Sequence, residues 1–290
     1  GADDGAVVEL DGWLVPGFVD IHCHGGGGAD FLSTDPAEIA AAASFHARTG
    51  TAALMASLVS APVDRLCAAL DAIAGVIEQG TTTLVGTHLE GPFLAAPFRG
   101  AHRRDHLAAP DADAFVRLHD AARGTLRMIT LAPELDGADD VIAAAVDRGV
   151  VVAVGHTACD YATAAAAFNG PASVATHLFN AMPGVHHREP GPVLAALESD
   201  AWCELICDGH HVHDATIRLV AERAADRMVL ITDAISATGM PDGAYRLGAL
   251  DIRVEGGVAR VVDDGALAGS TLTLDRAVRH AARAGVQTEV

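Results

Sequence analysis

The sequence predicts an α/β protein built as a (β/α)8 barrel of the TIM type, and three observations lead to this prediction. Eight apolar, strand-like segments alternate along the chain with segments of helical character. The chain has 290 residues, whereas such a barrel typically needs roughly 250. Polar residues recur at the ends of the strand-like segments, and in a barrel these ends meet at one face. An open doubly wound sheet is the alternative, and it would place a site at one switch point only.

The first strand-like segment lies in VPGFVDIHCHGGGG, where strand-forming residues precede a run of glycines. His22 and His24 are two residues apart, so in a strand both imidazoles point to the same face. The glycines allow the backbone to turn tightly directly after them. Cys23 alternates with the two histidines, and we expect it to face away from them as a small packed residue.

Strand-like and helix-like segments then alternate to the end of the chain. The second to eighth strands are predicted at ALMASLVS, TLVGTHLEG, LRMITLAPE, VVVAVGHT, SVATHLFNA, CELICDGHH and MVLITDAI. The helices are predicted over 36–49, 62–79, 111–122, 138–148, 160–169, 191–199, 214–225 and 272–284. Asp35 is the expected N-cap of the first helix. This alternation favours a parallel sheet covered by helices.

One segment breaks the alternation and predicts a small second domain. Residues 245–262 read YRLGALDIRVEGGVARVV, in which apolar and polar residues alternate on both sides of a Gly-Gly turn. We therefore divide the chain into a barrel at 15–244, a β segment at 245–262, and the last barrel loop and helix at 263–290. Residues 1–14 are assigned to the same small β domain as a remnant.

The composition excludes several classes of function. The formal net charge of −19 disfavours nucleic acid as a partner, because phosphates need a basic surface. None of the 19 basic residues is a lysine, which removes Schiff-base chemistry and any carboxylated lysine between two metals. The five cysteines are scattered, so we expect reduced thiols and a cytoplasmic location rather than disulfides. No apolar run reaches the roughly 18 residues that span a bilayer.

Histidines and carboxylates gather at the predicted C-terminal ends of the strands. They are His22 and His24 on the first strand, Glu90 on the third, His156 on the fifth, His177 in the sixth, Asp208 and His211 on the seventh, and Asp233 on the eighth. One such histidine alone is usually a core residue, but so many at one rim predict a metal site. Imidazoles and a carboxylate without thiolates suit zinc, with iron or manganese as alternatives. Because the chain has no lysine, Glu90 is the natural central ligand.

Two further features indicate the chemistry and the substrate. Asp233, on the last strand, is placed to take a proton from an attacking water and return it to a leaving group. Basic and imidazole side chains crowd the loops after the third and sixth strands, at Arg99, His102, Arg103, Arg104 and Arg188. On so acidic a chain, these groups favour an anionic substrate such as a phosphate. Arg103 and Arg104 are better explained as solvated loop residues, whereas His102 and Arg188 are less well explained in that way.

Seven motifs together are specific enough to indicate a family. They are, in chain order, PGFVDIHCHG, THLEGPFL, VGHT, THLFNAMPGVHHREPG, DGHHV, LITDAISATG and LAGST. They closely resemble the motifs of the N-acetylglucosamine-6-phosphate deacetylases of the amidohydrolase superfamily, over residues 15–284. The resemblance implies a metal-dependent hydrolase of amino-sugar metabolism, which cleaves the acetamide of N-acetylglucosamine 6-phosphate to glucosamine 6-phosphate and acetate.

The resemblance also implies roles for individual residues. The ligands of the principal metal correspond to Glu90, His156 and His177. A pair that holds a second metal in some members corresponds to His22 and His24, so we expect one or two divalent ions. Asp233 corresponds to the catalytic acid and base, and His102 or His211 would stabilise the oxyanion.

Substrate contacts follow from the same resemblance. They are expected from Ala101, His102, Asn180, Ala181, Arg188, His211, Leu267, Ala268 and Gly269. Arg188 is expected to reach the phosphate bound by a neighbouring copy, which implies a homodimer. Members of the family also carry further residues at both ends that build a small β-sandwich, so we expect that domain to be incomplete in this chain.

Three other interpretations remain open at this point. The same reaction could act on N-acetylgalactosamine 6-phosphate, because one sequence does not separate epimers at one hydroxyl. Another amidohydrolase reaction could act on a cyclic amide or an N-acyl amino acid. Finally, the chain could be an inactive fragment that binds metal or sugar phosphate without catalysis.

Overall fold

The computed structural model describes residues 15–287 and confirms the predicted barrel, because eight parallel strands follow one another around it in chain order. The strands are β1 (Phe18–Cys23), β2 (Thr51–Val59), β3 (Leu84–Glu90), β4 (Leu126–Leu131), β5 (Val151–Val154), β6 (Ala172–Ala175), β7 (Trp202–Ile206) and β8 (Met228–Ile231). A two-residue hairpin, Gly25–Gly26 with Ala29–Asp30, follows β1.

The helices pack around the outside of the barrel. Within the described residues they are α1 (Pro36–Ala47), α2 (Val63–Glu78), α3 (Ala112–Ala121), α4 (Ala138–Val146), α5 (Tyr161–Phe168), α6 (Gly191–Glu198), α7 (Asp214–Ala224) and α8 (Leu274–Ala284). Each of these helices begins and ends within two residues of its predicted boundaries. The Asp35 side chain caps α1, as expected, by accepting the N–H of Ala37 at 2.8 Å. None of these helices is both long enough and apolar enough to cross a membrane.

The interior of the barrel is filled in layers from the bottom to the mouth. The lowest layer is apolar and is formed by Met55, Met128, Ala153 and Val174. The layer above is polar and hydrogen-bonded, since His88 Nδ1 lies 2.9 Å from Ser57 Oγ and His88 Nε2 lies 2.8 Å from Thr130 Oγ1. Strands buried on both faces explain the near-continuous apolar segments in the sequence. Side chains at the strand ends are therefore supported from below.

The barrel closes between β8 and β1, directly beneath the predicted site. The Asp233 N–H donates to the His22 carbonyl oxygen at 2.9 Å, and the His24 N–H donates to the Ala234 carbonyl oxygen at 2.8 Å. The backbone that carries three of the predicted site residues therefore forms the seam of the barrel.

The predicted β segment forms a small antiparallel sheet beside the barrel. Its strands are β9 (Gly243–Leu247), β10 (Leu250–Glu255) and β11 (Val258–Val261), in that order. Gly256 and Gly257 make the predicted turn with φ of 58° and 77°, values that glycine adopts without strain. The sheet begins two residues before the predicted 245, while residues 1–14 lie outside the described part of the chain. The division into domains stays a prediction.

The structure corrects one prediction about the sixth strand. That strand was predicted to extend through SVATHLFNA, but β6 ends at Ala175 and His177 lies beyond it. His177, Phe179 and Ala181 have φ of 27°, 77° and 51°, so the backbone leaves the extended conformation there. Leu178 of this loop is fully buried in the hydrophobic core and Phe179 packs against that core, which explains why the segment resembles a strand in the sequence.

A side-chain hydrogen bond between β8 and β1 leads us to predict that Thr232→Val destabilises the protein. The Thr232 hydroxyl donates to Asp20 Oδ2 at 2.6 Å, and burial raises the pKa of Asp20 to about 6. Valine removes this donor from a fully buried carboxyl group, so we expect the free energy of unfolding to fall by about 1–3 kcal/mol in urea titrations. Thr81→Val, at an exposed threonine, should change it by less than about 0.5 kcal/mol. Equal effects of the two variants would contradict this role.

Candidate active site

Imidazoles from three strand ends surround one carboxylate at the mouth of the barrel. Glu90 Oε1 lies 2.9 Å from His156 Nε2 and 3.0 Å from His177 Nε2. Glu90 Oε2 lies 3.2 Å from His24 Nε2, and His22 Nε2 lies 3.2 Å from the same His24 atom. Oε1 of Glu90 thus faces His156 and His177 and also lies 3.5 Å from His22 Nε2, whereas Oε2 faces His24. All five side chains are at least nine-tenths buried.

The partners of Nδ1 in three of these histidines show which ring nitrogen carries the proton. His156 Nδ1 lies 2.9 Å from the Phe98 carbonyl oxygen, and His24 Nδ1 lies 3.1 Å from a carbonyl oxygen of β2. His22 Nδ1 lies 3.1 Å from Glu204 Oε2. Because carbonyl and carboxylate oxygens only accept, we assign the proton to Nδ1 in all three rings. Nε2 of each neutral ring then carries a lone pair.

These lone pairs point at one another and at carboxylate oxygens, an arrangement that fits divalent cations. Nε2 of His156 and Nε2 of His177 are 3.0 Å apart, and both face the same oxygen of Glu90. Contacts of this kind repel unless a proton or a metal ion lies among them. Nitrogens at about 2.0–2.1 Å from a tetrahedral zinc stand about 3.3 Å apart, close to the observed separations. The residues therefore fit a metal, with room for an ion at each pair of histidines.

His102 differs from the other histidines in the position of its proton. The backbone N–H of Ser60 points at His102 Nδ1 at 3.1 Å, so that nitrogen accepts. The proton is then on Nε2, which lies 3.1 Å from Glu90 Oε2. Although His102 is close enough to Glu90 and His156 to be counted as a ligand, it presents an N–H donor to the site. This geometry suits a donor to a substrate oxygen better than a metal ligand.

The carboxylates draw protons onto the imidazoles beside them. Burial opposes a charge on His22, but Glu204 and Glu90 outweigh it and raise the pKa of His22 well above its ordinary value. Burial likewise opposes a charge on His24, but Asp233 and Glu90 raise its pKa to about 9. Burial also disfavours ionised Glu90 and Asp233, yet the adjacent imidazoles hold both pKa values below the ordinary range. A divalent cation entering the site would therefore displace protons.

Three of the site residues have strained backbone conformations. His156, His177 and Asp233 have φ of 48°, 27° and 48°, in the left-handed region that non-glycine residues rarely adopt. Each such residue costs on the order of 1 kcal/mol or more. Hydrogen bonds hold two of them, since the His177 N–H donates to Glu204 Oε2 and the Asp233 N–H to β1. Strain of this kind is common where a side chain must be aimed at a reaction centre.

A cavity of about 220 Å³ opens onto the histidines, and most residues singled out from the sequence line it. They are His24, Glu90, Ala101, His102, His156, His177, Asn180, Ala181, His211, Asp233, Leu267 and Gly269. His22 and Ala268 are fully buried, outside the cavity lining. Arg188 does not line the cavity; it is exposed, with Nη1 2.8 Å from His187 Nε2.

The basic loop after β3 is largely paired with acidic side chains. Arg99 Nη2 lies 3.0 Å from Asp264 Oδ2, and Arg103 Nη2 lies 2.5 Å from Asp105 Oδ2. Neither arginine lines the cavity that opens onto the histidines. This supports the interpretation of Arg103 as a solvated loop residue.

Sequence reasoning missed the residues that orient the histidines. Glu204 was read as part of an apolar strand, although a charged residue in the middle of WCELI was a signal. Ser60 and Phe98 act through backbone groups, and no residue type marks such a role in a sequence. These contacts join residues far apart in the chain, so no local pattern contains them.

The chain belongs to the amidohydrolase family, which it matches over residues 13–288. Among curated relatives, it is similar to the N-acetylgalactosamine-6-phosphate deacetylase of Escherichia coli O157:H7, with 40% identity over 279 residues, 95% of this chain and 74% of that protein. It is also similar to the N-acetylglucosamine-6-phosphate deacetylase of Vibrio furnissii, with 38% identity over 273 residues, 92% of this chain and 67% of that protein.

Solved structures of the same enzyme resemble the fold closely. An aspartate-to-alanine variant of the N-acetyl-D-glucosamine-6-phosphate deacetylase of Mycobacterium smegmatis, in complex with N-acetyl-D-glucosamine-6-phosphate, superposes with a TM-score of 0.91 at 45% identity. This similarity covers 94% of this chain and 72% of that one. The Thermotoga maritima enzyme gives a TM-score of 0.87 at 31% identity, covering 99% of this chain and 79% of that one.

The protons that a metal ion would displace from His22 and His24 give a prediction that can be tested without substrate. At pH 7.5 the raised pKa values leave His22 and His24 protonated in metal-stripped protein, so zinc binding should release about two protons from these rings. The release should fall above about pH 9, where His24 has already lost its proton. Calorimetry in buffers of different ionisation enthalpy measures this number. His24→Asn is the matched variant, and zinc binding to it should release about one proton fewer. Zinc binding to the wild-type protein without proton release would show that His22 and His24 are not protonated in the metal-stripped protein.

Proposed function

We propose that this chain hydrolyses the acetamide bond of N-acetylglucosamine 6-phosphate to give glucosamine 6-phosphate and acetate. The carrying observation is the convergence of Glu90, His156 and His177, with Asp233 Oδ1 3.2 Å from His24 Nε2 at the same cavity. Hydrolysis of an amide needs an activated water, a polarised carbonyl and a proton for the leaving amine. Residues suited to each task lie at this cavity, and the relatives that act on this substrate share the fold.

We propose zinc as the resident ion, with iron or manganese as alternatives. Glu90, His156 and His177 would hold the principal ion, and His22 and His24 would hold a second one. When bound, a divalent ion of this kind polarises the acetyl carbonyl and lowers the pKa of the attacking water. The absence of thiolates from this group of ligands supports these metals over softer ones.

Asp233 would transfer the protons of the reaction. Its carboxyl group is held ionised, so it accepts a proton from the attacking water as the carbon–oxygen bond forms. The same proton then passes from Asp233 to the amine nitrogen as the carbon–nitrogen bond breaks. The Nε2–H of His102 would donate to the acetyl oxygen while negative charge develops there. Both side chains are largely buried, which strengthens these interactions.

The sugar phosphate would occupy the outer part of the cavity. His211 lines it, and its Nδ1 is held 2.7 Å from Asp208 Oδ2, which orients the ring toward the sugar. A phosphate needs a cation, but none of the described residues lining the cavity is an arginine. Arg188 of a second copy would supply it, so we propose a homodimer. The free cysteines are consistent with the cytoplasm, where this reaction would take place.

An assay of acetate release tests this function. The zinc-loaded protein is compared on N-acetylglucosamine 6-phosphate and on N-acetylglucosamine, with chelator-treated protein as the control. We expect release from the phosphorylated sugar only, and its loss on chelation. Equal activity on both sugars would exclude recognition of the phosphate, and no release from either would support the inactive fragment.

N-Acetylgalactosamine 6-phosphate is a second candidate substrate. The relative from Escherichia coli O157:H7, which is 40% identical, is named for that sugar. The two substrates differ in the orientation of one hydroxyl group, so the chemistry at Glu90 and Asp233 is the same for both. The ratio of kcat/KM for the two sugar phosphates decides between them.

Asp233→Asn should separate metal binding from proton transfer. The amide cannot accept the proton of water, so kcat should fall by about 100-fold or more while the metal content of the purified protein stays unchanged. Metal analysis alongside the acetate assay checks both quantities. Asp200→Asn, at an exposed aspartate, should retain full activity. A metal-loaded Asp233→Asn protein with wild-type kcat would show that another group moves the proton.

A further inference from the structure

A second buried carboxylate lies beneath the histidines and has no part in the proposed reaction. Glu204 is in the middle of β7 and is fully buried. It does not line the cavity, so it cannot reach substrate. Burying a carboxylate is costly unless specific partners compensate for the lost water. The contacts of Glu204 therefore indicate why this strand carries a charge.

One oxygen of Glu204 contacts both sides of the proposed metal site. Oε2 lies 3.1 Å from His22 Nδ1, and it accepts the backbone N–H of His177, also at 3.1 Å. His22 faces the second ion position, whereas His177 is a ligand at the principal one. The other oxygen, Oε1, has no hydrogen-bond partner among residues 15–287. Both of the compensating contacts thus lead to proposed metal ligands.

Comparison with the other rings shows what is special about His22. His24 and His156 donate their Nδ1 protons to neutral backbone carbonyl oxygens. His22 is the one of these three rings whose Nδ1 proton points at a carboxylate. A carboxylate acceptor fixes the tautomer and makes the opposite nitrogen a stronger ligand than a carbonyl acceptor does.

We infer that Glu204 is a positioning residue for the metal site, acting through His22. It holds the proton on His22 Nδ1 so that Nε2 faces the His24 side of the site, and it braces the strained backbone of His177 from the same oxygen. This inference rests on the proposed function for the presence of metal. In this role, the buried side chain of Glu204 fixes the positions of proposed ligands at both ion sites.

The test is a double-mutant cycle on zinc affinity, measured without substrate by competition with a chromophoric chelator. Glu204→Met, which keeps the length but removes the acceptor, should weaken the ion that His22 helps to hold by about 10–100-fold. In a His22→Ala background the same change should cost less than about threefold, because the contact to His22 is already gone and only the backbone contact to His177 is left to lose. Glu204→Gln offers an amide oxygen to both donors and should restore most of the affinity.

Thr130→Val is the control for burial, since Thr130 is also polar and fully buried and contacts no proposed ligand side chain; the zinc affinity of this variant should match that of wild type. An equal loss in both backgrounds of the cycle would overturn the inference and leave Glu204 a structural residue. If Glu204→Met does not fold, long-range proton–nitrogen spectra of the zinc-loaded wild-type protein decide: a His22 ring protonated on Nδ1 supports the inference, and one protonated on Nε2 refutes it.

The outcomes for metal and for Glu204 can be told apart. A wild-type chain without zinc affinity would refute the metal in the proposed function, and this inference with it. A wild-type chain that binds zinc with an affinity indifferent to Glu204→Met would refute this inference alone. Both comparisons measure zinc affinity and not deacetylation. They can therefore be interpreted even if the chain binds metal but is inactive.

Discussion

The structure depends on the repulsion that a cation must relieve at the mouth of the barrel. Nitrogen lone pairs and carboxylate oxygens stand about 3 Å apart there, in a place that water scarcely reaches. The Nδ1 protons of His22, His24 and His156 are directed away from the centre, so the repulsion is relieved on the Nε2 side, by protons on His22 and His24 or by a metal ion that displaces them. A divalent cation that enters the site would displace these protons and bind the lone pairs.

The barrel supplies the stiffness that such a site requires. Backbone hydrogen bonds of His22, His24 and Asp233 join β1 to β8, so the first and last strands of the barrel are held together directly at the site. A polar layer around His88 supports the site from below, and an apolar layer fills the base. The strained backbone at His156, His177 and Asp233 persists because the surrounding contacts over-determine it.

The sequence was informative wherever a pattern was local. Alternating apolar strands and helices predicted the barrel, and the strand-end positions of Glu90, His156 and Asp233 predicted which residues would meet. The Gly-Gly turn predicted the hairpin between β10 and β11. Each of these features is determined by neighbours within a few residues, so it can be read without knowledge of the fold.

The features that sequence reasoning missed arise from contacts across the barrel. Glu204 reaches His22 over 182 positions of chain, and the Ser60 backbone meets His102 over 42. The proton position on each ring depends on such partners and is invisible in the residue type. The loop containing His177 was mistaken for a strand because its apolar residues face the core, as those of a buried strand would. Local patterns therefore indicated the proposed ligands but not the residues that orient them.

Anomalous diffraction from crystals of the zinc-loaded protein tests the central claim most directly. We expect an ion within about 2.0–2.2 Å of Glu90, His156 Nε2 and His177 Nε2, with any second ion beside His22 and His24. Anomalous density elsewhere on the chain, or rings of His156 and His24 turned so that Nδ1 faces the centre, would contradict it.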